Sequence, residues 1–306
     1  MTRPFCVCVP ARNEAGRVAT LIEALSMQEG VGLVRVALLV NNSDDGTAEV
    51  ARSAAEHRHG RVLLRMRDMT LAPGEAHAGS ARRAAMALGI EWLDTDDGLL
   101  ISTDADCRPP PGWIAANLAA AAPGTVIGGA ILLDEREPVT PEMRAIRTAL
   151  DAYWQAVRDI EDAIDPLPWD PPPRHGDHTG ASLALDVGLY RRAGGVPPLA
   201  SGEDQALVAA AIGAGGRLVH PPSVWTRTSA RDVGRAAGGM AEDMRRWRSL
   251  VGSGDAMTVP ALSHWRERAR WRRAWRIAHG DATLPAAEAA LEPMPNDMVL
   301  EWKRAA

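Results

Sequence analysis

The sequence predicts an α/β fold: a mostly parallel, Rossmann-like sheet flanked by helices, followed by a carboxyl-terminal helical extension. Three observations predict it. Strand and helix signals alternate through the first hundred residues, the rhythm of a parallel sheet with helices on its faces. The apolar runs end in polar clusters, and ligands of such sheets sit outside the carboxyl ends of the strands. From about Asp232 onward the composition shifts to Arg and Trp in helical patterns.

The elements follow in order. "FCVCVP" (5–10) is a compact apolar strand, and Cys6 and Cys8 alternate onto one face of it. "AGRVATLIEALSMQ" carries Val18, Leu21, Ile22 and Leu25 at helical spacing. "VRVALLV" (34–40) is a continuous apolar run but for Arg35, which implies burial on both faces. A helix "GTAEVARSAAEH", a strand "RVLLRM", a helix "AHAGSARRAAMALGIEWL" and a strand "GLLIST" complete the first half. "WIAANLAAAA" is a helix, "TVIGGAILL" one strand, and 141–164 a long helix. "DPLPWDPPPRHGDH" is too Pro-rich to be regular. "TGASLAL" is a further strand, a helix begins near Glu203, and "RLVHPPSVWTRTSAR" reads as a strand and then a loop.

At 306 residues the chain can bury one large core, or a core with an extension. With 46% apolar residues and a net charge of −5 it is globular and not a basic nucleic-acid binder. Lys303 is its one lysine. Cys6, Cys8 and Cys107 have neither a disulfide framework nor paired metal-ligand spacing, which suits a reducing cytoplasm. A signal peptide and a bilayer-spanning run are not expected.

Three polar clusters converge on one crevice: "PARNE", "NNSDDGT" and "TDADCR". In the last, Asp104 and Asp106 suit a hard divalent cation that keeps waters and phosphate oxygens in its shell. Asp is also common as a turn cap, and the spacing alone leaves both readings open.

With the other clusters beside it, this stretch resembles the DxD motif of family 2 glycosyltransferases with the GT-A fold. In order along the chain, "VPARNEAGRV", "LLVNNSDDGTAEVA", "GSARRAAMALGI", "GASLAL…YRRAGG" and "GEDQAL" are similar to further family segments, covering about three quarters of the chain. The resemblance implies a hexosyltransferase-type enzyme that uses a nucleotide-sugar donor and Mn²⁺ or Mg²⁺ and inverts the anomeric configuration. Asp106 would ligate the metal, and Asp104 the ribose or the metal through water. Asp204 would be the general base, with Glu203 the fallback; the start of a helix favours an ionised carboxylate. Pro10, Arg12, Glu14, Asn41, Asn42 and Asp44 would line the donor, with Arg82 or Arg83 toward its diphosphate. Asn41 and Asn42 stand where the family carries paired Asp, which puts uracil specificity in question.

The resemblance makes His220 a candidate third ligand, beside the reading of a structural histidine. His175 and His178 either line an acceptor pocket, cover the site as a mobile loop, or belong to an ordinary surface loop. Thr228, Ser229 and Arg231 are similar to a segment near the diphosphate.

The expected division is a catalytic domain over 1–231, with a nucleotide-sugar half 1–107 and an acceptor half 108–231, and an extension over 232–306. Trp247, Trp265, Trp271 and Trp275 with their arginines suit either packing on the catalytic domain or a peripheral membrane contact at the inner face. The acceptor stays open: a small molecule, a glycan or a lipid-linked group.

Three other classes compete. A nucleotidyltransferase would carry a Gly-rich, lysine-containing loop after the first strand, which "PARNEAGRV" lacks. A DxD phosphohydrolase would place its motif after the first strand and need a lysine, with Lys303 the sole candidate. A non-catalytic nucleotide- or sugar-binding module of the same fold remains.

Overall fold

The computed structural model describes residues 3–58, 60–234 and 239–302; Lys303 lies outside the described residues. The first half is built as strand–helix units: β1 (Phe5–Ala11), α1 (Val18–Ser26), β2 (Val34–Asn41), α2 (Thr47–His57), β3 (Val62–Met69), α3 (Ala78–Leu93) and β4 (Leu99–Ser102). After the two-residue β5 (Cys107–Arg108) come α4 (Trp113–Ala120), β6 (Thr125–Gly128), β7 (Ala130–Leu133) and the long α5 (Pro141–Ile164). Then follow β8 (Leu183–Asp186), α6 (Val187–Arg192), α7 (Glu203–Gly213), β9 (Arg217–Val219) and β10 (Trp225–Thr228). The last part holds α8 (Met240–Ser253), β11 (Thr258–Val259), α9 (Leu262–His279), α10 (Leu284–Ala289) and β12 (Met298–Val299).

The main sheet has the order β3-β2-β1-β4-β8-β6-β9. β1 to β4 run parallel, with Val7 opposite Val36 and Ile101, while β8 is antiparallel to both β4 and β6. β1 is buried on both faces. Val7 and Val9 pack against α1 and α2; Cys6 and Cys8 share the other face with α3 and α7, as their alternation predicts. Gly89 permits that second contact: a Cβ there would stand 2.6 Å from Cys8 Sγ.

Four expectations need correction. "TVIGGAILL" is two strands in two sheets, because β7 joins a separate sheet of order β5-β10-β7. The break falls at Gly128 and Gly129, where a Cβ would collide with the Asp177 carbonyl at 2.4 Å and with Ser182 Oγ at 2.0 Å. The chain can pass the 177–182 segment this closely only without side chains, and the pass bends it out of the first sheet. "WTRT", expected as loop, is β10, parallel to β7. The strand in "TGASLAL" is confined to its end and Asp186. Helix α6 was not expected; Asp186 caps it by accepting from Leu189 N at 2.5 Å.

Helix α5 has its expected bounds. Thr140 accepts from Met143 N at 3.3 Å and Pro141 occupies the first turn. Its Met143, Ile146, Tyr153 and Val157 form a third apolar cluster with Met244, Trp247, Met257 and Val259 from the carboxyl-terminal segment. Trp265 Nε1 donates to Tyr153 Oη at 2.6 Å. Trp271 and Trp275 stack on each other, and Trp275 Nε1 donates to Thr283. Among the described residues no helix is long and apolar enough to cross a membrane.

Candidate active site

Because β1, β2 and β4 are parallel, the loops that follow them emerge at one edge. The first two are stitched together. Asn13, in the left-handed region at φ 53°, donates its N–H to Ser43 Oγ at 2.9 Å and accepts from Asp44 N at 2.9 Å. Glu14 N donates to Thr47 Oγ1 at 2.8 Å, and Ala15 N to Asp45 Oδ2 at 3.0 Å. Asn42, also left-handed, forms a two-way pair with the Leu71 backbone, donating at 3.0 Å and accepting at 3.1 Å. Asn41 is buried and donates to Asn42 Oδ1 at 3.5 Å. Both amides therefore fix the loop, and Asn42 has little capacity left for a nucleotide base. Pro10 is half-buried at the end of β1. Asp44 is exposed, as is Arg12, which donates to the Ala76 carbonyl at 3.2 Å.

Two arginines organise the carboxylates. Arg82 is buried on α3 and donates to Asp104 at 2.9 Å, Glu203 at 3.0 Å, Ser102 Oγ at 2.8 Å and the Gly180 carbonyl at 3.0 Å. Burial disfavours its charge, yet Asp104 and Glu203 more than offset that and raise its pKa. Arg83, the next residue, is exposed and donates to the Gly194 and Val196 carbonyls; the structure does not bring it to the carboxylates. Arg231 donates to both oxygens of Glu14 and pairs with Asp106 at 2.9 Å. Beside it, Ser229 donates to Glu137 at 2.8 Å, as does Arg17 at 3.4 Å. Thr228, at the end of β10, is buried.

Asp104, Asp106 and Cys107 bring potential ligand atoms within 4.8 Å of one another. Burial pushes the Asp106 carboxyl up to about 7, with Arg231 opposing and the charges of Asp104 and Glu14 adding to the rise. Burial also raises the Cys107 thiol, whose Sγ donates to the Ala181 carbonyl; it stays protonated and is a poor ligand for a hard ion. The two carboxylates fit a divalent cation that takes oxygen ligands.

Asp204 stands in the first turn of α7, which Gly202 opens at φ 73°. It is half-buried; its Oδ2 accepts from Gly180 N at 2.7 Å and its Oδ1 from Gln205 N at 2.8 Å. Glu203 is turned inward, 5% exposed, onto Arg82. Gly180 thus touches both Arg82 and Asp204, and a Cβ there would sit 2.2 Å from the guanidinium carbon.

A cavity of about 940 Å³ has Thr179 and Gln205, the residues next to Gly180 and Asp204, in its wall. His175, His178 and His220 also line it. His220 is buried and doubly tied to Asp170, its N–H and its Nδ1 each 2.7 Å from a carboxylate oxygen. Its Nε2 faces His178 Nδ1 at 3.4 Å. It is absent from the ligand group around Asp104 and Asp106, among the described residues. Burial and the neighbouring His220 lower the pKa of His175, to about 4, and of His178. Asp170 and the aromatic wall formed by Trp154 and Trp265 escaped sequence reasoning. Asp170 sits in the Pro-rich stretch with no periodicity, and only the i, i+4 spacing of Trp154 and Arg158 hinted at a shared face.

Residues 6–156 match glycosyl transferase family 2. No curated protein matches the chain. Among solved structures, the chain resembles the mannosyltransferase PcManGT from Pyrobaculum calidifontis, described in complex with GDP-Man and Mn²⁺. The TM-score is 0.56 at 20% identity, over 95% of this chain and 77% of that one. It also resembles residues 1–349 of TarS from S. aureus, with a TM-score of 0.52 at 13% identity, over 92% of this chain and 74% of that one. The same TarS piece described in complex with UDP gives 0.50 at 12% identity, over 94% and 75%. Residues 6–156, which hold the stitched loops and the Asp104–Asp106 pair, are thus the part of the chain that matches glycosyl transferase family 2, and the architecture is the GT-A fold.

Proposed function

We propose that the protein is an inverting glycosyltransferase that moves a sugar from a nucleotide-sugar to an acceptor hydroxyl, with Asp204 as base and a divalent cation held by Asp106 and Asp104. The observation that carries the reading is the position of Asp204. Gly180 and Arg82 link it to Asp104, and the next residue, Gln205, lines the cavity together with Thr179. The solved relatives described with GDP-Man and Mn²⁺ and with UDP support a nucleotide diphosphate on the donor side.

In this reading the acceptor hydroxyl lies against Asp204, whose carboxylate takes its proton as the oxygen attacks the anomeric carbon. The bond from that carbon to the diphosphate oxygen breaks, and its electron pair leaves with the nucleoside diphosphate. Attack from the opposite side inverts the centre. Asp204 is the better base than Glu203, whose carboxylate is engaged by Arg82. The cation, when bound, offsets negative charge on the departing diphosphate. Arg231 and the 226–231 segment stand beside the same carboxylates and supply donors for phosphate.

The test is a thermal-shift screen against nucleoside diphosphates and their sugars with and without Mn²⁺ or Mg²⁺, run on the wild type and on Asp204→Asn. A metal-dependent shift in both proteins, with transfer lost only in Asp204→Asn, is expected. No shift with any nucleotide overturns the reading.

A further inference from the structure

The cavity lined by Thr179 and Gln205 contains an arginine whose Nε is buried without a hydrogen-bond partner. The long helix α5 presents Arg147, Trp154 and Arg158 to the cavity. Most arginines of this wall are matched by carboxylates: Arg147 by Asp151, Arg174 by Glu161, Asp162 and Asp170, Arg272 by Glu161 and Glu288, and Arg276 by Asp165 and Asp281. Arg158 has no carboxylate within ion-pair distance among the described residues. It donates through Nη2 to Gln155 at 2.9 Å, and its Nε is buried without a partner. Burial lowers its pKa, with Asp177 pulling weakly the other way.

A second orphan lies beside it. The Arg158 side chain packs over Gly176, where a Cβ would meet Nη1 at 3.5 Å, and the residue before Gly176 is His175. His175 Nδ1 accepts from Asp177 N at 3.2 Å, so the neutral ring carries its proton on Nε2. That nitrogen is buried and has no hydrogen-bond partner. Two buried donors without partners, one of them cationic, belong to residues that line one cavity, which Gln205, the residue after the proposed base, lines as well. Leaving buried donors unpaired is costly, and an acceptor atom from a ligand removes that cost. Trp154, on the same helix face one turn before Arg158, is 42% exposed although its edge is packed on Tyr153 and Trp265.

We infer that the acceptor is a hydroxylated small molecule bearing an anionic group, phosphate or carboxylate, that is received by Arg158 and His175 while its carbon skeleton lies on Trp154. This rests on the reading of Asp204 as the base. Arg158 would fix the acceptor at its far end and so determine which hydroxyl reaches Asp204. Neutral acceptors would leave the guanidinium uncompensated and would be selected against.

The test uses the full chain and calorimetric titration with glucose 6-phosphate, glucuronate, glucose and inorganic phosphate, on the wild type, Arg158→Met and Arg158→Lys. A nucleoside diphosphate with Mn²⁺ is titrated into the wild type in parallel. The expected result is binding of glucose 6-phosphate or glucuronate but not glucose, weakened at least about tenfold by Arg158→Met and less by Arg158→Lys. The first two ligands separate a phosphate site from a carboxylate site. Arg158→Met should also unfold at a higher temperature than the wild type when no ligand is present, because it removes a half-buried guanidinium that no carboxylate pairs with and whose Nε is unsatisfied. That is the opposite of what a purely structural arginine would give. Equal binding by the wild type and Arg158→Met, or binding of glucose as tight as that of glucose 6-phosphate, overturns the inference. The nucleotide titration separates the two failures: if the nucleotide binds and the anions do not, the acceptor inference falls and the transferase reading stands.

Discussion

Arg82→Met should be among the most damaging single changes in the molecule. The side chain is 5% exposed and makes four hydrogen bonds, two of them to carboxylates. The Glu203 side chain is 7% exposed, whereas that of Asp104 is 36% exposed and can turn to water. Removing the guanidinium leaves Glu203 as a buried charge without its cation, while the Gly180 carbonyl keeps Ser102 Oγ as a donor at 3.0 Å. Breaking a buried pair from one side costs about 3–5 kcal/mol. Glu203→Gln alone should cost less, about 1–3 kcal/mol, since Arg82 keeps Asp104 and two neutral acceptors. The double variant should cost about the same as Arg82→Met alone, because the stranded charge has gone, and the cycle should give a coupling of about 2 kcal/mol. Equilibrium urea unfolding of the four proteins reads this directly, with m-values checked for constancy. Strictly additive losses, or a cost below about 1 kcal/mol for Arg82→Met, would refute the buried-pair argument.

Gly180→Ala should act through the same centre, since its Cβ would overlap the Arg82 guanidinium. Unfolding should show a loss of about 2–4 kcal/mol, and transfer should fall with it. Asp106→Asn should abolish metal-dependent nucleotide binding by calorimetry. It should also change the pH dependence of the metal-free protein. The Asp106 carboxyl is raised to about 7, so the folded chain holds a proton there that the unfolded chain has lost. Its contribution is fully present below about pH 4 and is lost as pH rises to about 7. Thermal unfolding in chelator should therefore show Asp106→Asn gaining on the wild type between those limits; a constant offset would contradict the shift. Asp204→Asn should keep donor affinity and lower turnover by about 10²–10⁴, measured with the donor that the thermal screen identifies. Tyr153→Phe should cost about 1–3 kcal/mol in urea, because it strands the Trp265 N–H and the Pro260 carbonyl.

The first half was legible because period and punctuation agree there. β1 and β4 are continuous apolar runs and β2 nearly so, α1 carries a 3.6-residue stripe, and the polar clusters fall where parallel strands end. The second half obeys contacts that sequence does not display. β7 leaves the main sheet because the 177–182 segment presses on two glycines, and β10 exists because β7 lies beside it. At the site, the structure joins "TDADCR" and "GEDQAL" through Arg82, but telling neighbouring residues apart took the third dimension. Arg82 and Arg83 are adjacent in sequence, yet one faces the carboxylates and the other faces loop carbonyls. Glu203 and Asp204 differ likewise, one turned inward onto Arg82 and one accepting from the Gly180 and Gln205 backbone. Asn41 and Asn42 looked like readers of a base because their position resembles the family's acidic pair; the left-handed turn at Asn42 and the Leu71 backbone engage them instead.

The Arg231 bridge has a consequence for how the chain is made. Arg231 reaches across 217 residues to Glu14, and meets Asp106 on the way. During vectorial synthesis, all four parallel strands leave the ribosome long before that arginine does. Until it arrives, the Glu14 and Asp106 carboxylates face each other's field without its counter-charge. The nucleotide edge is thus assembled from the earliest part of the chain but neutralised by a late one, so a nascent fragment can possess the sheet and still lack a finished donor site.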